Sequence, residues 1–269
     1  MAVQGKVVVI TGGAQGVGRY VARTFAAEGA KLAVADIAPM ETVEREVTEL
    51  GAELLPVKTD VTDEAQVRSM VDQVYRRWGR IDVLINDAGI VTHFHVGSPR
   101  WPRIRDMPRE FFQKVIDTNL IGTYLCTKHV LPYMESLNSG HIINFGQGSL
   151  IESPLDQEQR VSPASIGACV YHVSKIAIRA FTRGVAEEER YFNICIVSLG
   201  PGSPASDRAH ATGPGGIVTD DSPEWAREAR LSKGVETVGD RYAIAAEAPI
   251  EFSGHQVVVR NGKLEVAGF

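Results

Sequence analysis

The segment YHVSK at residues 171–175 sets a phenol and an amine four positions apart. On a helix, positions i and i+4 project from one face about one turn apart. An ammonium beside a phenol favours the phenolate and lowers its pKa, which would make Tyr171 a usable general acid or base nearer neutral pH. Alone, such a pair is more often part of a solvated helix face. Its meaning depends on what the rest of the chain brings to it.

A second group of residues has the chemistry of a phosphate cradle. The sequence TGGAQGVGRY places Gly12, Gly16 and Gly18 after an apolar run and directly before a helical pattern. Glycines there permit positive φ, let backbone N–H groups approach a pyrophosphate, and allow close helix packing, while the helix N-terminus favours negative charge. Asp36 ends the next apolar run, at the interval expected of a ribose-binding carboxylate. That carboxylate would accept from both adenosine ribose hydroxyls. It would repel a 2′-phosphate, because neighbouring Gln15 and Ile37 carry no compensating charge. The expected cofactor is NAD rather than NADP. Asp60-Val61 would meet the adenine, and NDAG at 86–89 would supply a tight backbone turn beside the cofactor.

These residues need elements to hold them. Apolar, β-branched runs at 6–10, 31–36, 53–57, 81–86, 141–145, 193–199 and 255–260 alternate with amphipathic segments at 17–29, 40–50, 64–78, 109–135, 171–190 and 236–246. Near-continuous apolar strands joined by helical crossovers imply a parallel sheet covered on both faces, hence a doubly wound α/β fold. With 269 residues, 44% of them hydrophobic, the chain can bury such a core as one domain. Three segments escape the alternation and are expected to wall a substrate site: 91–108, 148–170 and 203–235.

Composition narrows the partners. A net charge of −5, with no basic run longer than Arg76-Arg77, gives no footprint for nucleic acid or an anionic membrane, so small molecules are expected. Cys126, Cys169 and Cys195 lie among apolar neighbours without metal-ligand spacing. They read as reduced thiols in a cytoplasmic protein, and no metal is expected. The N-terminus enters a strand without a processing pattern, and no apolar run approaches membrane-spanning length.

Taken in order, TGxxxGxG at 11–18, Asp36, Asp60-Val61, NDAG at 86–89, Asn119 in DTNLIGTYL, YxxxK at 171–175 and the GPG turn at 200–202 resemble the short-chain dehydrogenase/reductase family. The resemblance runs from residue 5 to about 260. It implies a seven-stranded Rossmann fold, NAD(P)-dependent oxidation of alcohols or reduction of carbonyls, and a homotetramer or homodimer. By position, Tyr171 would be the acid/base, Lys175 would bind the nicotinamide ribose and tune Tyr171, and Asn119 would sit in a kinked helix holding a water of the proton relay. The cofactor would be contacted by Gly12, Gln15, Gly16, Val17, Gly18, Asp36 and Ile37. Further contacts would come from Asp60, Val61, Asn86, Ala88, Gly89, Pro201 and Gly202, together with Tyr171 and Lys175.

The chain departs from the family at several points. Two serines are usual after the fifth strand, the second contacting the substrate oxygen; Gly146 and Gln147 stand there instead. A carboxamide can donate and accept through separate atoms. Gln147 is therefore expected in the polarising role, with Ser149 as its substitute. The 24 residues from Gln147 to Tyr171 exceed the family's usual spacing and would loop out beside the site. Asp87 replaces an asparagine, and RNG at 260–262 replaces an acidic-glycine ending. Trp101, Phe94, Trp225 and Ile217 favour an apolar or cyclic substrate, whereas His93, Arg100, Arg103 and Arg105 would meet a carboxylate. The altered serine position also admits another class of function, an NAD-binding regulatory or scaffold protein with little turnover. Retention of Tyr171, Lys175 and Asn119 weighs against that, since a pure binder needs no proton relay.

Overall fold

The computed structural model describes residues 3–90, 103–146, 169–200 and 238–267. The first half lays down β1 (Val7–Thr11), α1 (Gly16–Ala27), β2 (Lys31–Asp36), α2 (Glu41–Glu49), β3 (Leu54–Lys58), α3 (Glu64–Trp78) and β4 (Val83–Asn86). The second half adds α4 (Arg109–Ile116), α5 (Gly122–Leu137), β5 (Gly140–Phe145), α6 (Cys169–Glu188), β6 (Ile194–Leu199), α7 (Val238–Ala245), β7 (Gln256–Arg260) and β8 (Lys263–Val266). The strands form one sheet in the order β3-β2-β1-β4-β5-β6-β7-β8. Strand order reverses between β1 and β4, and such a reversal opens a crevice at the carboxyl ends of the strands. The architecture is the expected doubly wound Rossmann fold.

Pleating divides the core between the sheet's two faces. Val8 and Ile10 of β1 pack with Val21, Phe25 and Tyr242 on one side. Val7 and Val9 pack with Met70, Val74, Leu125 and Val130 on the other. Each large side chain buried in this way contributes about 1.5–3 kcal/mol. Pro56 lies in β3, an edge strand, where the missing N–H removes no ladder bond from a central pairing.

Two features differ from expectation. The sheet has eight strands rather than seven, and β8 runs antiparallel to β7. The linking residues Asn261 and Gly262 have φ of 50° and 70°, the geometry of a two-residue hairpin turn. RNG is thus a turn that turns the chain back on the sheet edge. The second is the form taken, in the amphipathic segment 109–135, by the kink that the resemblance implied at Asn119. The segment is interrupted by a π-turn at Asp117–Ile121, which contains the fully buried Asn119. A π-turn adds a residue to the helical circuit and redirects the side chains around it.

A buried polar ladder fixes the strands beneath the site to the helices over them. Asn86 Nδ2 donates to Asn144 Oδ1 (2.9 Å) and to Thr127 Oγ1 (3.2 Å), and Asn144 Nδ2 donates to Thr182 Oγ1 (2.9 Å). One network thereby joins β4, β5, α5 and α6. Asn144→Ala removes one buried hydrogen bond from Asn86 and one from Thr182, and is expected to destabilise the chain by about 1–3 kcal/mol. Urea unfolding of the variant checks this; a change below about 0.5 kcal/mol would mean that the ladder does not hold α6 on the sheet.

Candidate active site

The cradle forms where β1 meets α1. Gly12 has φ of +71°, and a Cβ on it would lie 2.7 Å from Ala88 Cα in the turn after β4. Gly18 packs on the Gly12 carbonyl with no room for a side chain. Gln15 stands at the N-cap of α1 without a side-chain bond to the first turn, which also lacks an acidic residue. The positive end of the helix therefore faces the crevice, an arrangement suited to a pyrophosphate. Asp36 is buried at the end of β2, where Oδ2 accepts from Ala14 N (3.0 Å) and Oδ1 from Ala38 N (2.9 Å). These bonds tie the glycine turn to β2 and leave further lone pairs on the carboxylate for ribose hydroxyls. Lys58, aligned with Asp36 on β3, makes no ion pair with it. The cradle thus fits a dinucleotide.

The remaining candidate contacts are more varied. Ile37 is exposed, and Val61 packs against Gly122. Asp60 Oδ1 accepts from the backbone N–H and hydroxyl of Thr62, shaping the turn after β3. Asn86 faces the interior ladder, so its side chain is directed away from the crevice.

The phenol and amine come together on α6, each 3% exposed. Lys175 Nζ donates to Phe145 O at the end of β5 (2.9 Å) and lies 4.2 Å from the Phe145 ring centroid and 5.5 Å from that of Tyr171. Ser174 Oγ donates to Tyr171 O (2.7 Å) and accepts from Asn119 Nδ2 (3.0 Å). Asn119 in turn holds Ile90: its Oδ1 accepts from Ile90 N (2.7 Å) and its Nδ2 donates to Ile90 O (3.2 Å). Through these bonds, the chain segment after β4, the π-turn and α6 are locked together around the Tyr171–Lys175 pair. Ala88 N donates to Thr11 Oγ1 (3.2 Å), which attaches the same turn to the cradle.

Electrostatics of the pair differ from the sequence expectation. Burial lowers Lys175 to about 7, opposed by the Asp87 charge. Burial raises Tyr171 above the usual phenol range, and Asp87 adds to that shift. The amine so near neutrality cannot pull the phenol down as a fully charged ammonium would, and desolvation prevails. Burial also lowers His172, whose ring stands 6.1 Å from that of Tyr171.

Gln147, Ser149, Pro201 and Gly202 lie outside the described residues, as do Trp101, Phe94, Trp225, Ile217, His93 and Arg100. The wall segments lie outside them too, apart from 103–108 and 169–170. Arg103 is exposed, and Arg105 pairs with Asp106 at the surface (3.2 Å). Among the described residues, no group of His, Cys, Asp and Glu is arranged to hold a metal ion, and no helix is long and apolar enough to cross a membrane. Sequence reasoning missed two contributors. Ser174 sits inside YHVSK and was open to notice; Tyr242 is an ordinary apolar-face residue of its helix, and only the fold places its hydroxyl on Asp87 (3.0 Å).

A family model described as short chain dehydrogenase matches residues 6–215. The chain belongs to that family. Its relatives include an uncharacterized oxidoreductase of Thermotoga maritima, 35% identical over 74% of this chain and 71% of the relative. Another is L-fucose dehydrogenase of Bos taurus, 31% identical over 91% of this chain and 82% of the relative. Among solved structures, levodione reductase superposes with a TM-score of 0.72 at 27% identity, covering 97% of this chain and 98% of that one. The protein is accordingly a short-chain dehydrogenase/reductase, an oxidoreductase family that uses nicotinamide cofactors and small-molecule substrates.

The displaced titration of Lys175 has a consequence for stability. Between about 7 and the ordinary 10.5, the unfolded chain carries a proton on this amine that the folded chain does not. Stability contributed by this group therefore rises with pH across that window. Thermal melts of the short-chain dehydrogenase from about pH 6.5 to about pH 9 are expected to show the rise, and Lys175→Met is expected to flatten it. Parallel curves for the two proteins would overturn the assignment.

Proposed function

We propose that the protein is an NAD-dependent oxidoreductase that moves hydride between the nicotinamide and a secondary alcohol or ketone, with Tyr171 as acid/base. The observation that carries this reading is the buried cluster of Tyr171, Lys175, Ser174 and Asn119 at the carboxyl ends of β4 and β5, beside a glycine cradle and Asp36. A binding module would have no use for a phenol and a near-neutral amine held in one desolvated group. The NAD-binding regulatory or scaffold reading therefore stands second. The chain acts as one catalytic domain, assembly as a homotetramer or homodimer follows the family resemblance, and a cytoplasmic location follows the reading of the cysteines as reduced thiols.

In this reading, the cradle of Gly12, Gly16 and Gly18 takes the pyrophosphate on the N-terminus of α1, with Gln15, Val17, the backbone of Asn86, Ala88, Gly89, Pro201 and Gly202 around the cofactor. Asp36 accepts the adenosine ribose hydroxyls, with Ile37, Asp60 and Val61 toward the adenine. Lys175 reaches the nicotinamide ribose and sets the protonation of Tyr171. Gln147 or Ser149 holds the substrate oxygen, and Asn119 supports the proton path. The bound nicotinamide supplies the hydride chemistry. In oxidation, Tyr171 in its phenolate form would take the alcohol O–H proton; in reduction, Tyr171 as the phenol would give its proton to the carbonyl oxygen.

Two measurements test this reading. With a panel of secondary alcohols and NAD, followed by NADH absorbance, Tyr171→Phe is expected to lower kcat by about 10²–10⁴-fold while NADH fluorescence still reports binding. Undiminished turnover in that variant would remove Tyr171 from the acid/base role, and binding without turnover in the parent protein would favour the scaffold reading. For the cofactor, Asp36→Ala is expected to narrow the preference for NADH over NADPH, read as a ratio of dissociation constants. A parent protein that binds NADPH as tightly as NADH would overturn the NAD assignment.

A further inference from the structure

Asp87, a departure from the family pattern, follows Asn86, which is aligned with Asn144 on β5, so it stands beside Phe145, whose carbonyl accepts from Lys175 Nζ (2.9 Å). The turn that follows it is held at two points: Ala88 N donates to Thr11 Oγ1 (3.2 Å) and Ile90 N to Asn119 Oδ1 (2.7 Å). The Asp87 carboxylate Oδ1 accepts a hydrogen bond from the hydroxyl of Tyr242 (3.0 Å). Tyr242 is fully buried on α7, a helix packed against α1 and the sheet, so this contact ties the carboxylate to a second helix besides α6. Burial first, and Asp87 second, keep the Tyr242 phenol protonated far above its usual range, so it stays a donor. The titratable groups gathered here are Tyr171, Lys175 and His172 on α6, Tyr242 on α7 and Asp87 after β4.

We propose that Asp87, clasped by the Tyr242 hydroxyl, is a positioning residue that keeps the Tyr171–Lys175 pair in its proton-bearing form and so biases it toward giving a proton to a carbonyl oxygen. This rests on the reading of Tyr171 and Lys175 as the acid–base pair. The reasoning is one of charge. With both protons bound, the pair carries one positive charge; after losing a proton it is neutral overall, whichever group gave it up. A carboxylate facing the pair stabilises the first state relative to the second, and raises the pH at which the shared proton departs. An asparagine at 87, the family's usual residue, would keep an acceptor for Tyr242 and supply no charge. Holding the proton is what carbonyl reduction requires and what alcohol oxidation must overcome. The aspartate therefore favours, near neutral pH, the protonation state of the pair from which reduction starts.

The test uses the ligand-free full-length protein labelled with [13Cε]lysine, with the Lys175 resonance identified by its loss in Lys175→Met. In the parent protein its midpoint is expected at about 7. Asp87→Asn is expected to lower the midpoint by about one unit, Asp87→Glu to retain it, and Tyr242→Phe to lower it by a smaller amount. A midpoint unchanged in Asp87→Asn overturns the proposal, as does an equal shift in Asp87→Glu. If Asp87→Asn does not fold, Tyr242→Phe is read in the same way, and an unmoved midpoint there overturns it. Failure of this inference leaves the effect of Tyr171→Phe on turnover untouched. Turnover surviving in Tyr171→Phe removes the reading beneath it without altering the titration.

Discussion

An amine sealed beneath the surface is the constraint on which the rest of this site depends. Desolvating an ammonium costs several kcal/mol unless its surroundings return the loss. At Lys175 the return is partial: the Phe145 carbonyl accepts one N–H, the Phe145 ring face lies over the nitrogen, and the Asp87 charge acts on it. The amine is left near neutrality, where a small change in its surroundings moves its proton. That poise requires α6 to keep one register on the sheet. The register is held by Thr182 on Asn144 and by Ser174 on Asn119, two points more than a helical turn apart on the same helix.

Much of the fold was legible because its signals are local. Strands such as Lys31–Asp36 read directly as apolar runs, and α3 begins at Asp63, whose side chain accepts from Ala65 N and Gln66 N, and stops at the left-handed Gly79. What escaped notice was either misread or non-local. Asn261-Gly262 between two β-rich runs is a strong hairpin signal, and it marks β8, a strand beyond the seven that the resemblance implies. The π-turn at Asp117–Ile121 has no such local mark. It becomes intelligible only once Asn119 is seen bonded to Ile90 and Ser174, partners 29 and 55 residues away.

The site was legible to the same depth. Residue types and spacing pointed to Tyr171, Lys175, Asp36 and the cradle glycines, because each motif is a short stretch on one element, and the resemblance added Asn119. The balance of charges was not legible. The expectation that Lys175 depresses Tyr171 holds for groups in water, whereas burial of the pair reverses the shift on the phenol and lowers the amine to about 7. Nor does sequence connect Asp87 with Tyr242, 155 residues apart and joined only where α7 folds back over α1.

The altered serine position can be understood from its neighbours. Gly146 N donates to Leu199 O (2.8 Å), so residue 146 is still seated on β6. A Cβ at 146 would fall on the Ser198 hydroxyl and 2.6 Å from Gln256 Oε1. Those two side chains are buried and hydrogen-bonded to one another (2.8 Å), which makes displacing them costly. The volume that a side chain at 146 would need is therefore filled from the adjacent strands by Ser198 and Gln256. Glycine at 146 and this buried pair form one packing solution. It closes the end of β5 from below, so a donor to the substrate oxygen from this strand end must come from beyond Gly146. In the sequence, that is where Gln147 and Ser149 stand.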